Sequence, residues 1–378
     1  MKTRAAVLYE MGQAAPYRES QPLRIEELEL SGPGPGEVLV EVANAGLCHS
    51  DLSVINGSRP RVMPMVMGHE ASGIIRDVGA NVDDLAAGDH VVFSFMPSCG
   101  RCIPCATGRP VMCNAAASAN ANGTLLSGSQ HFRNSSGTTL HHHLGVSAFS
   151  QYTVAARQSV IRIDPDLPLD IAAIFGCAVK TGVGAVFNTA GLVPGASCAV
   201  FGMGGVGLSA IMGARAAGAH PIIAVDLLDS KLEIARELGA THVVNARTDD
   251  PVEAIRDITD GGADYSIEVV GSEKVLVQAY EASARGGMTV TVGLPHPSKQ
   301  FSISAVSLVA DEKTVKGCYM GSAVPARDLP RFISMFEAGL LPVDKLLTAT
   351  IALDDINAAF DALDKGEAVR QVVQFDVG

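Results

Sequence analysis

Cys198-Ala-Val-Phe-Gly-Met-Gly-Gly-Val-Gly-Leu-Ser-Ala-Ile-Met-Gly-Ala-Arg-Ala-Ala217 is the stretch that decides how the second half of this chain folds. Cys198–Phe201 reads as a short apolar strand. Gly202-Met-Gly204-Gly205-Val206-Gly207 follows at once as G-x-G-x-x-G, and Leu208–Ala217 has helical composition. Glycines at that spacing allow a tight turn and close backbone approach, and the helix N-terminus turns its N–H groups toward a pyrophosphate. The next apolar run, Pro221–Val225, ends in Asp226, nineteen positions past Gly207. A carboxylate there accepts both hydroxyls of an adenosine ribose and repels a 2′-phosphate, which selects NAD over NADP. Lys231 comes one helical turn later, where it can flank the same ribose. The competing reading is a glycine-rich turn that binds nothing. Asp226 at the end of the second strand weighs against it.

Outward from this motif, apolar runs and amphipathic helices alternate: 197–201, 205–217, 221–226, 229–238, 242–244, 252–258, 264–269, 273–284 and 287–292. Repeated β-α-β of this kind predicts a doubly wound parallel sheet with helices on both faces. The uncharged stretch 196–214 has the length of a membrane span, but its five glycines and its turn signature make it strand, turn and helix. Before about residue 173 the text changes to short strands and turns, such as the alternating Glu37–Val42. A helix over 327–338 and a strand over 369–375 close the chain and are expected to rejoin the first domain. The expected boundaries are 1–178 with 319–378 for one domain and 179–318 for the nucleotide-binding domain.

The chain has 378 residues, 47% apolar and 18% charged, a globular composition with room for two cores. A formal charge of −12 without any basic run argues against nucleic acid and anionic membrane as partners. Residues 1–10 lack the apolar core of a secretory leader, and the cysteines are clustered, so a reducing cytoplasm is expected.

Four of the eight cysteines lie within fifteen residues as Cys99-x2-Cys102-x2-Cys105-x7-Cys113. Four thiolates at this spacing can close a tetrahedron around one Zn2+ and leave no position for substrate, so the site is structural. Disulfides are the alternative, though two-residue gaps would close strained loops. Cys48, His69 and Cys177 form a second candidate set. Two thiolates and one imidazole leave a fourth position open, as a catalytic zinc requires. Read singly, each is equally a core cysteine or a hydrogen-bonded histidine, and spacing alone leaves that choice open. Cys198 and Cys318 sit in apolar runs and read as inert core thiols.

Gly68-His-Glu-Ala-Ser-Gly73, the four-cysteine loop, Gly176-Cys177, the Gly202–Gly207 turn and Asp226 together resemble the zinc-dependent medium-chain alcohol dehydrogenases, class III-like branch included, over essentially the whole chain. The resemblance implies an α/β fold: a mainly-β GroES-like catalytic domain joined to a Rossmann domain. It implies two Zn2+ per chain and NAD, with Cys48, His69 and Cys177 on the catalytic zinc, Glu70 behind it and Asp51 orienting the histidine. Ser50 matches the hydroxyl that binds the substrate oxygen. Thr181 and Val206 match residues against the nicotinamide, and Arg370 a basic residue near the pyrophosphate. Phe95 and His143 match two walls of the alcohol pocket, the second normally apolar. His143 either hydrogen-bonds a polar substrate or turns to solvent or backbone. The implied reaction is reversible oxidation of a primary or aromatic alcohol to its aldehyde, with hydride transfer to NAD and the proton leaving through Ser50.

Three departures from that family's pattern stand out. Many relatives end the proton relay in a histidine three residues past the relay serine; here that residue is Ser53. The long stretch 113–144 resembles the dimeric and glutathione-dependent formaldehyde branches, and so a homodimer is expected. The glutathione-dependent enzymes, however, use an acidic residue near Arg59 and an arginine soon after the fourth cluster cysteine, where this chain has Asn114-Ala-Ala-Ala117. S-(Hydroxymethyl)glutathione dehydrogenase is therefore the alternative activity. A non-catalytic NAD-binding relative should lack the ligand trio. The run His141–His143 is not expected to form a third metal site.

Overall fold

The computed structural model describes Met1–Gly378. It divides into two compact units, Met1–Cys177 with Val324–Pro330 and Asp344–Gly378, and Ala178–Ala323 with Arg331–Val343. The sequence reading had given all of 319–378 to the first unit. Residues 319–323 and 331–343 instead pack on the helical run 178–190: Thr189 Oγ1 donates to Ser322 Oγ at 2.8 Å, and the Phe332 ring lies 6.4 Å from that of Phe187. A Cβ on Gly184 would stand 2.5 Å from the Gly321 carbonyl oxygen, so the two backbones meet where only glycine fits.

The first unit is built on two sheets. Five strands, Lys2–Leu8, Leu23–Leu30, Phe132–Arg133, Thr139–His142 and Met65–Val66, close into a small barrel around Val7, Leu28, Phe132 and Leu140. A seven-stranded sheet is centred on Glu37–Gly46, which pairs antiparallel with Glu70–Val78, Tyr152–Ala156 and Arg370–Gln374. The C-terminal strand thus returns to the first unit's sheet. The stretch 114–142 holds the helix Asn114–Asn122 and the two short barrel strands Phe132–Arg133 and Thr139–His142. Gly123 in the left-handed region ends that helix, as a C-terminal glycine commonly does.

The second unit is a six-stranded, fully parallel sheet in the order His242–Asn245, Ile222–Asp226, Cys198–Phe201, Ala263–Glu268, Ser283–Thr291, Thr314–Gly317. In chain order this is 3-2-1-4-5-6, the doubly wound arrangement, whose ligand crevice lies beyond the carboxyl ends of the strands where the order reverses. The stretch 196–214 forms the strand Cys198–Phe201, the turn and the helix Gly205–Ala216. One helical run, Leu169–Ala190, is long and apolar enough to cross a membrane by length and composition, yet 89% of its most apolar window is buried in the fold.

Candidate active site

Three separate elements deliver the candidate metal ligands. Cys48 follows the central strand and directly precedes the helix His49–Ile55. His69 precedes the strand Glu70–Val78, after Gly68 at φ +94°. A side chain on Gly68 would be strained by that φ and would strike the Phe149 backbone nitrogen at 2.4 Å, so the turn that aims His69 is open to glycine alone. Cys177 sits on a π-turn, Phe175–Val179, inside the run Leu169–Ala190. Such wide turns displace one residue from the helical ladder and are frequent at functional sites.

These elements bring Cys48, His69, Glu70 and Cys177 together with their donor atoms all within 4.8 Å of one another, every residue buried. His69 Nδ1 lies 2.9 Å from Asp51 Oδ1, while Nε2 is buried with no hydrogen-bond partner in the protein. An imidazole whose Nδ1 is held by a carboxylate and whose Nε2 lies unpartnered among thiols is oriented as a metal ligand needs to be. Burial alone would lower His69. The charge and hydrogen bond of Asp51 and the nearby Cys48 outweigh it and hold the group up to about 10. The two thiols are driven apart: the hydrogen bond from Cys177 holds Cys48 well below the thiol range, and the same bond with burial holds Cys177 above it. A cation displaces these protons, because ligand imidazole must be neutral and ligand sulfur thiolate. Two soft sulfurs, one nitrogen and a nearby carboxylate fit Zn2+.

Behind this set, burial pushes Glu70 up to about 7 despite Arg370, whose Nη1 stands 3.6 Å from Glu70 Oε2 and donates to the Leu47 carbonyl at 2.9 Å. Arg370 was expected near a pyrophosphate. Its place beside Glu70 was not readable, because the two meet only through the pairing of the C-terminal strand. Ser50 is half-buried in the first turn of the helix that carries Asp51. The Ser53 hydroxyl turns back and donates to the His49 carbonyl at 2.7 Å. Phe95 stacks its ring edgewise on His69 at 5.1 Å, and Asn120 of the 114–122 helix donates to the Phe95 carbonyl at 2.9 Å. His143 does not turn to solvent: it is fully buried, 5.6 Å from the His69 ring, with Nδ1 3.2 Å from Asp51 Oδ1. The histidine triplet therefore does not converge. His141 meets Gln130, His142 packs against Phe132, and His143 faces Asp51.

The four-cysteine loop gathers Cys99, Cys102, Cys105 and Cys113 with all sulfurs within 4.8 Å, and none of the eight cysteines is in a disulfide. Cys102 Sγ lies 3.4 Å from Cys105 Sγ and 3.9 Å from Cys113 Sγ. Sulfurs of a zinc tetrahedron with bonds of about 2.3 Å stand roughly 3.8 Å apart, so the loop fits the ion. Backbone N–H groups of Arg101 and Cys102 hold the Cys99 thiol down to about 6. Cys198, by contrast, is pushed up to about 12 by burial, the mark of an inert core thiol.

In the second unit the glycine turn divides its labour. A Cβ on Gly207 would lie 1.7 Å from the Gly202 carbonyl oxygen, whereas one on Gly204 would meet nothing within 4 Å. Gly207 thus lets the helix Gly205–Ala216 close on the strand, and Gly204 leaves open the space where a pyrophosphate would press against the backbone. Asp226 Oδ2 accepts from the Met203 N–H at 2.6 Å, and Oδ1 from Leu227 N–H at 2.7 Å and Leu228 N–H at 3.1 Å. The carboxylate is thereby fixed at the strand end, against the turn. Thr181 is buried and Val206 half-buried where the two helices meet: a Cβ on Gly182 would stand 2.2 Å from the Val206 carbonyl oxygen. Lys231 is half-buried in the helix Asp229–Leu238.

Comparison with known proteins agrees with both halves. Residues 34–165 match the alcohol dehydrogenase GroES-like domain and residues 205–338 the zinc-binding dehydrogenase domain. S-(Hydroxymethyl)glutathione dehydrogenase of Paracoccus denitrificans is 36% identical, over 99% of this chain and 100% of its own length. The chain belongs to the zinc-dependent medium-chain alcohol dehydrogenase family. Alcohol dehydrogenase 1 of Trifolium repens shares 37% identity with this dehydrogenase, over 100% of the chain and 98% of its own length. Among solved structures, benzyl alcohol dehydrogenase of Acinetobacter calcoaceticus superposes with a TM-score of 0.92 at 34% identity, and a zinc-binding alcohol dehydrogenase domain protein of Burkholderia ambifaria with 0.94 at 36%, each covering 100% of both chains. The family expected from the motifs, its GroES-like plus Rossmann fold and its use of zinc and NAD are those of this dehydrogenase, which is an NAD-dependent zinc oxidoreductase.

Proposed function

We propose that this dehydrogenase oxidises primary or aromatic alcohols to aldehydes, reversibly, at Cys48, His69 and Cys177. The observation that carries the reading is the buried, unpartnered His69 Nε2 among two thiols, with Nδ1 held by Asp51. Zinc at that donor set supplies Lewis acidity that eases loss of the alcohol proton, and NAD at the Gly202–Gly207 turn supplies the hydride acceptor. Ser50 takes the proton from the substrate hydroxyl and passes it outward. Asp51 fixes the His69 tautomer. Phe95 forms an apolar wall beside His69, suited to an aliphatic chain or an aromatic ring. Asp226 accepts the ribose hydroxyls, with Lys231 beside it, and Thr181 and Val206 border the nicotinamide.

S-(Hydroxymethyl)glutathione is the second reading, favoured by what the Paracoccus relative is named for. Against it stand Arg59 where that branch uses an acid, and Asn114–Ala117 without an arginine. Initial rates with benzyl alcohol, a straight-chain primary alcohol and S-(hydroxymethyl)glutathione decide between them. The proposal expects kcat/KM for benzyl alcohol to exceed that for the glutathione adduct, and the reverse order overturns it. A homodimer is the proposed assembly. The strand Thr314–Gly317 pairs on one side only, and Val306 and Val309 of the adjoining segment are 73% and 77% exposed. Eight cysteines outside any disulfide, six of them in the two candidate metal sites, fit the proposed cytoplasmic location.

A further inference from the structure

His143 is an imidazole with no task in the mechanism above. It is fully buried, and its backbone N–H donates to the Val66 carbonyl at 3.2 Å and to Ser147 Oγ at 2.9 Å. These bonds fix the main chain from which the ring projects. It lies edge to face against His69, and its Nδ1 is 3.2 Å from Asp51 Oδ1, the same oxygen that holds His69 Nδ1 at 2.9 Å. The His143 contact is off the line of a hydrogen bond, and neither ring nitrogen has another protein partner.

Asp51 is also fully buried, and its Oδ2 has no partner. A buried carboxylate with one donor would be poorly compensated and free to pivot about that bond. Two imidazoles set nearly at right angles on one oxygen, with interplanar angle 84°, remove that freedom. From this arrangement we infer that His143 is a positioning residue for the metal centre: its ring, with Nδ1 3.2 Å from Asp51 Oδ1, confines the carboxylate, and Asp51 in turn holds His69 in the orientation that binds the ion. His143 is thereby a support for zinc retention and not a hydrogen-bond donor to substrate. This inference rests on the Cys48–His69–Cys177 reading and adds a residue to it.

Zinc release from the purified enzyme to a chromophoric chelator tests the inference on wild type, His143→Phe, His143→Asn and His143→Gln. An asparagine amide nitrogen falls near the place of Nδ1 and a glutamine nitrogen near that of Nε2. Wild type is expected to release two zincs per chain in two phases. His143→Phe and His143→Gln should release one of them about tenfold faster or more, the scale on which partners of ligand histidines act. His143→Asn should stay close to wild type, and the other phase should be unchanged in all. Adding His143→Phe to Asp51→Asn should cause little further acceleration, because His143 acts only through Asp51. Release from His143→Phe at the wild-type rate overturns the inference, as does rescue by glutamine and not asparagine. If His143→Phe does not fold, the asparagine and glutamine pair carries the same comparison. A single zinc in wild type overturns the underlying metal centre, an outcome distinct from failure of the clamp alone.

Discussion

Ser53 occupies the position from which a relay base would act, and its hydroxyl is committed to the His49 carbonyl. A hydroxyl bonded back into its own helix is a poor terminal acceptor, so in the proposed relay the proton from Ser50 ends in water or another base. Ser53→His should therefore raise alcohol oxidation below neutral pH, by up to about 10²-fold, the lower end of what a positioned base contributes. The pH–rate profile of kcat/KM measures this, and an unchanged profile contradicts the relay. Asp226 carries a different load. It holds the glycine turn through Met203, and in the proposed function its remaining acceptor capacity goes to a ribose. Hydrogen bonds to a charged group are worth about 1.5–3 kcal/mol, so Asp226→Ala should raise the Kd for NAD roughly 10- to 150-fold and narrow the gap to NADP. Nucleotide titration checks both numbers. These single residues were legible where a motif surrounds them, as with Cys48, His69 and Asp226. Arg370 beside Glu70 and His143 beside Asp51 were not, because each pair is made by strands and loops far apart in sequence.

At the scale of the element, the glycine turn yields a paired prediction. Gly204→Ala adds a methyl to open space, so the protein should keep its melting temperature and lose NAD affinity. Gly207→Ala drives a Cβ into the Gly202 carbonyl oxygen and should lower the melting temperature itself. Thermal melts with and without NAD separate the two. The central strand Glu37–Gly46 begins with a second buried polar knot. Burial would raise Glu37, but His131, Ser127, Ser129 and the Gly34 N–H hold its carboxyl down to about 2, from an ordinary 4.5. His131 Nε2 lies 2.8 Å from Glu37 Oε2. A carboxyl lowered on folding stabilises fully above pH 4.5 and loses that contribution as pH falls toward 2. The shift is worth on the order of 3 kcal/mol. Glu37→Gln should accordingly destabilise the protein at neutral pH and flatten the acid limb of its stability curve, as urea melts across pH 2–7 would show. The β-α-β period was readable because a parallel sheet buried on both faces writes continuous apolar runs. The helix Asn114–Asn122 was obscured: its alanines and asparagines carry almost no amphipathic signal, and its place is set by tertiary contacts such as Asn120 with Phe95.

Over the whole molecule, two kinds of site coexist for one chemical reason. Four soft donors on a short loop close around an ion and stiffen the chain, while three donors from distant elements leave a position for chemistry. Fold class and both donor sets were legible, the first from period and the second from spacing and family resemblance. The split of the C-terminal region between the two units was not, since residues 331–343 follow an apolar face whose partner, Phe187, lies elsewhere in the chain. The measurement that tests the account most directly is zinc per chain, taken on wild type and on Cys177→Ala, with NADH formation from benzyl alcohol followed on the same samples. The account predicts two zincs and NADH production for wild type, and one zinc and no NADH for the variant, with the four-cysteine ion kept. One zinc in wild type, or NADH production undiminished in Cys177→Ala, would contradict it.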